Sequence, residues 1–115
     1  MEIDGRPLDA SAATSLVVMN GQYLRGLDVS PRGHPGDGIA DAQLYALPPA
    51  ARRPMRARLA TGAHLPHPGI TVRRARQAVV VRCSRPAPLE VDGSPAGRIT
   101  RVEVTLRPAA YRLLV

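Results

Sequence analysis

Residues 70–106 read ITVRRARQAVVVRCSRPAPLEVDGSPAGRITRVEVTL, and this stretch carries most of the information about fold class. Apolar residues recur in it at every second position, as in Val79/Val81 and Val102/Val104, which is the period of a half-buried β-strand. Short apolar runs separated by Gly and Pro are typical of strands and turns. The pattern predicts strands near residues 70–75, 77–83, 87–92, 100–106 and 110–115.

The residues before this stretch add further short strands. The apolar run at 14–20 ends at the turn dipeptide Asn20-Gly21. Residues 41–47 alternate, with Ala42 and Leu44 on one predicted face. Together with EID at the amino end, the pattern predicts about eight strands and one short helix. We therefore expect residues 1–115 to form one mainly β domain, an antiparallel β-sandwich.

The one predicted helix lies between Pro48-Pro49 and Gly62. Proline is common in the first turn of a helix and glycine just beyond its end. Met55 and Leu59 are four residues apart and would face the core, whereas the arginines between residues 52 and 58 would face solvent. Pro54 fits a helix only where it falls within the first turn.

Composition excludes several kinds of chemistry. All 16 basic residues are arginine, so a Schiff-base or Walker lysine is absent. The chain has no Trp or Phe and three Tyr, which predicts an aliphatic core and disfavours modules that stack nucleic-acid bases on aromatic rings. Its single cysteine, Cys83, cannot form an internal disulfide, and we expect it to be buried as a small hydrophobic residue.

Charge is distributed unevenly along the chain. Residues 1–51 hold three Arg and six acidic residues, a net −3, and residues 52–115 hold thirteen Arg and three acidic residues, a net +10. A basic half favours phosphate, phospholipid headgroups or nucleic acid, without selecting among them. The acidic amino end does not resemble a signal peptide, and no purely apolar run is longer than LVVM, so we expect a soluble, cytoplasmic protein.

No catalytic set emerges from the residues alone. His34, His64 and His67 lack the spacing of a helical metal site, and we expect them on surface loops. The segment GDGIAD, which holds Asp37 and Asp41, resembles an oxygen-rich loop that could bind Mg²⁺. The alternative is an aspartate that stabilises a tight turn through its own backbone.

Two further features have a structural and a functional interpretation. The tripeptide Asp92-Gly93-Ser94 indicates a hairpin turn. The arginine clusters at 52–58 and 73–76 are typical of solvated faces, but such clusters also bind anionic lipid headgroups.

In order, these pieces resemble the C-terminal domain of the diacylglycerol kinase catalytic family, which includes bacterial lipid kinases and sphingosine kinases. That domain is a β-sandwich on the lipid side of a two-domain, ATP-dependent kinase, and the N-terminal ATP-binding domain with its GGDGT loop is not found in this sequence. The matching segments are LVVMNGQYLRG at 16–26, SPRGHPGDGIADAQLY at 30–45, LATGAHLPHPGI at 59–70, PLEVDGSPAG at 88–97 and VEVTLRPAAYRLLV at 102–115.

The resemblance implies roles for individual residues. Asp37 matches an acid that binds Mg²⁺ in some bacterial members, with the backbone carbonyls of His34 and Ile39 as further ligands. Asp92 matches the aspartate of a DGE turn whose glutamate helps to deprotonate the lipid hydroxyl. Ser94 replaces that glutamate, and serine is not a base at neutral pH without a partner. Arg25 stands where a glycine is common.

The resulting hypothesis is a lipid-kinase-like C-terminal domain that does not transfer phosphate alone. It implies that a partner supplies the ATP-binding domain in trans and that ATP binds only through this partner. It also implies Mg²⁺ as the metal and peripheral contact with the membrane. Contacts to lipid or phosphate are assigned to Arg52, Arg53 and Arg56. We also expect an apolar flank and a homodimer. The alternative is a non-catalytic basic β-domain that binds anionic lipid or a partner, with nucleic acid the least favoured ligand.

Overall fold

The computed structural model describes residues 1–34 and 36–107. The described residues form nine strands and one helix, and the strand predicted at 110–115 lies outside them. The elements are β1 (Glu2–Ile3), β2 (Arg6–Pro7), β3 (Ser15–Met19), β4 (Tyr23–Leu24), β5 (Leu27–Asp28), β6 (Ala40–Tyr45), α1 (Pro49–Leu59), β7 (Ile70–Ala75), β8 (Ala78–Val91) and β9 (Ser94–Thr105).

The strands form three antiparallel sheets within the described residues. The four-stranded sheet, called sheet A, has the order β2-β1-β8-β9, and the three-stranded sheet, called sheet B, has the order β3-β6-β7. Strands β4 and β5 form a separate small hairpin. The predicted mainly β, sandwich-like fold with one helix is confirmed.

Sheets A and B pack against each other through small and branched residues. Ile3 and Val79 of sheet A contact Ala42 and Ala75 of sheet B in one buried cluster. Alanine has little side-chain volume, so the two sheets approach closely at this point. This cluster matches the predicted aliphatic core.

The other face of sheet B, called its outer face, is covered by α1 and by loops. Tyr45 of β6 and Ile70 of β7 form a second buried cluster there with Leu47 and Met55. Strand β6 is central in sheet B, and it is buried on both faces because sheet A covers one face and α1 with its adjoining loops covers the other. The alternation at 41–47 predicts a strand correctly, but it does not reveal that the second face is also covered.

Helix α1 follows the sequence prediction closely. Pro49 lies at its first turn, Met55 is buried, and Leu59 is half-buried. The helix arginines are exposed, and Gly62 adopts a positive φ of 71° shortly after the helix ends. Pro54 lies inside the helix rather than in its first turn.

Strand β8 is a single strand, so the prediction of two separate strands at 77–83 and 87–92 is wrong. It runs without a break through Pro86 and Pro88, where two separate strands are predicted. Strand β1 pairs with only Val79 and Val80. Further along, one edge of β8 has no neighbouring strand among residues 1–34 and 36–107, and such an edge can accommodate proline. The ladder with β9 shifts register in this part.

Two predictions about burial are wrong. His64 is fully buried instead of lying on a surface loop. Cys83 is partly exposed instead of buried. In the described part of the chain, no helix is long and apolar enough to cross a membrane.

Candidate functional site

A cavity of about 550 Å³ lies between α1, the outer face of sheet B and the β4–β5 hairpin. We call it the apolar cavity, because aliphatic side chains supply most of its wall. Two arginines also line it, so the wall combines apolar side chains with positively charged residues. The apolar side chains at its wall include Leu24, Leu27, Leu47, Met55 and Leu59.

The two charged residues of the apolar cavity are Arg52 and Arg56. They are four residues apart on α1, so they lie one above the other on the same side of the helix. Arg52 Nε donates to the carbonyl of Leu47 at 3.4 Å, which anchors one side chain at the wall. Arg53 does not line the cavity. The structure thus brings together two of the three arginines assigned from the sequence.

The β4–β5 hairpin forms one wall of the apolar cavity through Leu24 and Leu27. It has only two residues in each strand. Its turn places Arg25 and Gly26 at φ values of 51° and 75°, as a two-residue hairpin loop requires. So small a hairpin cannot hold itself in place, and its position depends on contacts with the rest of the protein.

A buried polar network provides the first of those contacts. The carbonyl of Val29 accepts hydrogen bonds from Gln43 Nε2 at 2.7 Å and from His64 Nε2 at 2.8 Å. Tyr45 donates its hydroxyl to Gln43 Oε1 at 2.6 Å. Burial raises the pKa of Tyr45 to about 12, so its hydroxyl stays protonated and continues to donate. The network fixes the segment that follows β5 against sheet B.

The sequence alone does not predict that Gln43 and His64 belong to this network. Gln43 lies in an alternating strand at a position predicted to face away from the apolar side, and His64 lies in a loop rich in proline. Because its partner is a carbonyl, His64 Nε2 carries the proton. His64 Nδ1 is buried and has no hydrogen-bond partner among residues 1–34 and 36–107. The only sequence signal for His64 is its place in the segment that resembles the kinase family.

The second contact of the β4–β5 hairpin is with the tip of the β8–β9 hairpin. Arg25 Nη2 donates to the carbonyl of Gly93 and lies 3.5 Å from Glu90 Oε1. Gly93 has a φ of 79°, and a Cβ added there would lie 2.9 Å from Arg25 Nε. The turn therefore needs glycine for its backbone, whereas a Cβ there would only displace the flexible, exposed side chain of Arg25.

Asp92 and Ser94 flank Gly93 at this tip, and both are exposed. Their side chains make no hydrogen bond to the described residues. Both residues therefore neighbour Gly93, whose carbonyl Arg25 contacts, at the tip of the hairpin that touches a wall of the apolar cavity. The sequence does not predict that Arg25 touches this turn, because 68 positions separate Arg25 from Gly93.

The loop with Asp37 has the geometry of a tight turn. Ile39 N–H donates to Asp37 Oδ1 at 2.9 Å, and Asp37 N–H donates to the carbonyl of His34 at 3.3 Å. Asp37 is exposed, and its second carboxylate oxygen makes no hydrogen bond within the described chain. No group of three His, Cys, Asp or Glu side chains suited to a metal ion occurs among the described residues. The side chains here supply one carboxylate, and any further oxygen ligands would come from carbonyls or water.

Comparison with models of protein families gives a match along the whole sequence. A family model described as the YegS C-terminal NAD kinase beta sandwich-like domain matches residues 1–115. This match agrees with the predicted C-terminal β-sandwich domain of a kinase family. It does not by itself identify the diacylglycerol kinase family. No curated protein matches the chain.

Proposed function

The chain belongs to the family of YegS C-terminal β-sandwich domains, and from this premise we propose that it is the lipid-binding half of a lipid kinase of the diacylglycerol kinase type. In this proposal the complete reaction transfers the γ-phosphoryl group of ATP to a lipid hydroxyl. ATP is held by a separate ATP-binding domain, and this chain holds the acceptor lipid. It would act in the cytoplasm, in peripheral contact with a membrane.

The observation that carries the proposal is the apolar cavity with two arginines. Its volume of about 550 Å³ lies within the range of small-molecule sites, roughly 300–1,000 Å³. Apolar side chains such as Leu27 and Met55 suit an acyl chain, since apolar burial drives such binding. Arg52 and Arg56 suit the polar end of the lipid, because guanidinium groups donate several hydrogen bonds to its oxygens.

Residues at the β8–β9 tip and in the Asp37 loop have narrower proposed roles. Asp92 and Ser94 would face the lipid hydroxyl, and Ser94 supplies no base there. Mg²⁺ would be held by Asp37 with the carbonyls of His34 and Ile39, an oxygen set of the kind this ion prefers. Mg²⁺ supplies positive charge to phosphate oxygens in such reactions. We also propose that the chain forms a homodimer.

The test is direct binding of a short-chain diacylglycerol, dioctanoylglycerol, followed by amide chemical shifts of the full chain. We expect saturable shifts in α1 and in β4–β5. Leu59→Trp places an indole in the cavity and should reduce the affinity at least tenfold. Ala57→Trp adds the same group to the exposed side of α1, away from the cavity, and should leave the affinity unchanged. Equal effects of the two variants would contradict the assignment of the cavity.

The competing function is a basic module that binds anionic surfaces, and its support is the net +10 of residues 52–115. Binding of the chain to lipid vesicles of different composition distinguishes the two functions. Neutral vesicles that contain diacylglycerol should retain the chain if the cavity binds lipid. Retention only on anionic vesicles, lost as salt is raised, would favour the basic module instead, because salt screens exposed charges over about 8–10 Å.

A further inference from the structure

A second cavity, of about 540 Å³, opens on the outer face of sheet B beside β7. It is close to the apolar cavity, since the consecutive residues Val29 and Ser30 line one cavity each. We propose that this second cavity binds a phosphate group carried by a small organic molecule. The proposal does not depend on the lipid-kinase assignment.

The first support is an excess of hydrogen-bond donors. The exposed guanidinium of Arg32 lines the cavity and makes no hydrogen bond or ion pair with the described residues. Arg74 also lines it, and its only ionic contact there is from Nε to Asp41 Oδ1 at 3.8 Å. The two terminal nitrogens of Arg74 therefore keep their donors available. Two guanidinium groups with available donors at one cavity favour an anionic ligand.

His67 adds a third donor of fixed orientation. Its Nδ1 accepts a hydrogen bond from Gly69 N–H at 2.9 Å. The proton of the neutral ring must then reside on Nε2, which has no partner among the described residues. His67 is among the residues that line the cavity. Its Nε2–H is thus a neutral donor beside two cationic ones.

Asp41 is the only acidic residue among the described residues that line the cavity, and its carboxylate is already engaged. Asp41 Oδ2 accepts a short hydrogen bond, 2.6 Å, from the hydroxyl of Ser30, which is itself buried. Asp41 Oδ1 faces Arg74. With two arginines and one aspartate, the lining has a net charge of +1, leaving one positive charge for a ligand to neutralise.

The chemical class of the ligand follows from the number of hydrogen-bond donors at the second cavity and from the apolar residues that line the remainder of its wall. One arginine alone can pair with both oxygens of a carboxylate, whereas two arginines and a histidine N–H match the larger number of oxygens on phosphate. Leu65, Ile70 and Val72 form an apolar side of the same cavity. An apolar wall next to a phosphate site is suited to the organic part of a phosphate ester.

The experiment is a titration of the full chain with phenyl phosphate at constant ionic strength, followed by amide chemical shifts. We expect saturable shifts at residues 30–32 and 70–74. Arg32→Gln and Arg74→Gln should each weaken binding about tenfold, the effect of losing one charge-assisted hydrogen bond. Arg73→Gln is the matched control, because Arg73 is the next residue on β7, carries the same charge and does not line the cavity.

Inorganic phosphate is the second probe and separates the two sources of the anion. Weaker binding of inorganic phosphate than of phenyl phosphate would support a phosphate ester as the ligand. Equal binding would overturn the ester and leave a site for free phosphate. An absence of saturable shifts with both probes, or an equal loss in Arg73→Gln, would overturn the site, because the chain would then attract anions only through its overall charge.

Discussion

At the scale of single residues, Gln43 connects strand β6 to the segment that follows β5. Its amide nitrogen donates to the Val29 carbonyl, and its amide oxygen accepts from Tyr45 of the same strand, so one side chain holds two walls of the apolar cavity together. Gln43→Leu leaves the buried Tyr45 hydroxyl without its acceptor. An unsatisfied buried group costs about 1–3 kcal/mol, and we expect the free energy of unfolding to fall by that amount.

Urea denaturation measures this loss, and Gln77→Leu is its control. Gln77 is exposed, and its side chain makes no hydrogen bond in the described chain, so the same substitution there should change stability by less than about 0.5 kcal/mol. If both variants lost the same stability, the buried network would not be the cause.

Asp4 gives a prediction about pH. Its carboxylate accepts from the backbone N–H groups of Arg76, Gln77 and Ala78 at 2.9, 2.7 and 3.0 Å. These hydrogen bonds, the one from Arg76 first, lower the pKa of Asp4 below its ordinary value of 3.8. Its contribution to stability is therefore complete above pH 3.8 and is lost as the pH falls through the lower folded-state pKa.

The measurement compares Asp4→Asn with the unmodified chain by urea denaturation at several pH values. Asparagine does not titrate, so the stability advantage of the unmodified chain should stay constant between about pH 5 and 7 and should shrink below about pH 4. An advantage that grew as the pH fell would contradict the assigned role of the carboxylate.

The residues of the site differ in how far the sequence predicts them. Arg52 and Arg56 could be placed together, because helical spacing alone brings them to one side. Gln43 and His64 could not, because their burial depends on the loop that covers the outer face of sheet B. Contacts between distant parts of the chain leave no local pattern in the sequence. Asp37 lies between these cases, since the sequence predicts either a Mg²⁺-binding loop or a tight turn, and the structure shows the turn hydrogen bond.

At the scale of elements, the contact between two hairpin tips connects the turn at residues 92–94 to a wall of the apolar cavity. Arg25→Met keeps the aliphatic part of the side chain and removes the guanidinium that reaches Gly93 and Glu90. An exposed hydrogen-bonded ion pair is worth up to about 1 kcal/mol, so we expect amide exchange at residues 23–28 to increase about two- to fivefold.

Hydrogen exchange followed by mass spectrometry checks this prediction. Arg101→Met is the control, because Arg101 pairs with Glu103 on the same strand and contacts neither hairpin tip. Unchanged exchange at residues 23–28 in Arg25→Met would mean that the β4–β5 hairpin is held by the buried network alone.

Elements were predictable where their pattern is local. The sequence predicts the bounds of the helix, β3 and β7 to within a few residues, since turn residues and periodicity mark their ends. The long β8 was not predicted, because Pro86 and Pro88 normally interrupt a strand. Whether proline is tolerated depends on the neighbouring strand, and within the described part of the chain the short β1 leaves that edge of β8 without a partner.

At the scale of the whole molecule, the protein has three layers: sheet A, sheet B, and the layer of α1 with its adjoining loops. The aliphatic residues between the two sheets form one core, and they have no role in the proposed chemistry. Both cavities lie on the outer side of sheet B, where polar groups such as Gln43, His64 and Asp41 interrupt the apolar surface. The two candidate binding sites therefore share the side of sheet B that faces away from sheet A.

The last prediction concerns catalysis by the molecule as a whole. Phosphoryl transfer depends on positioning the nucleotide and on stabilising charge around it. Residues 1–115 contain no GGDGT loop, and Ser94 provides no base. Incubation with Mg²⁺, radiolabelled ATP and dioctanoylglycerol should therefore yield no labelled lipid. Ser94→Glu should be equally inactive, because a base does not replace the missing nucleotide site. The binding titration serves as the control that the chain is folded and holds lipid, and labelled lipid from the unmodified chain would contradict the proposed division of roles.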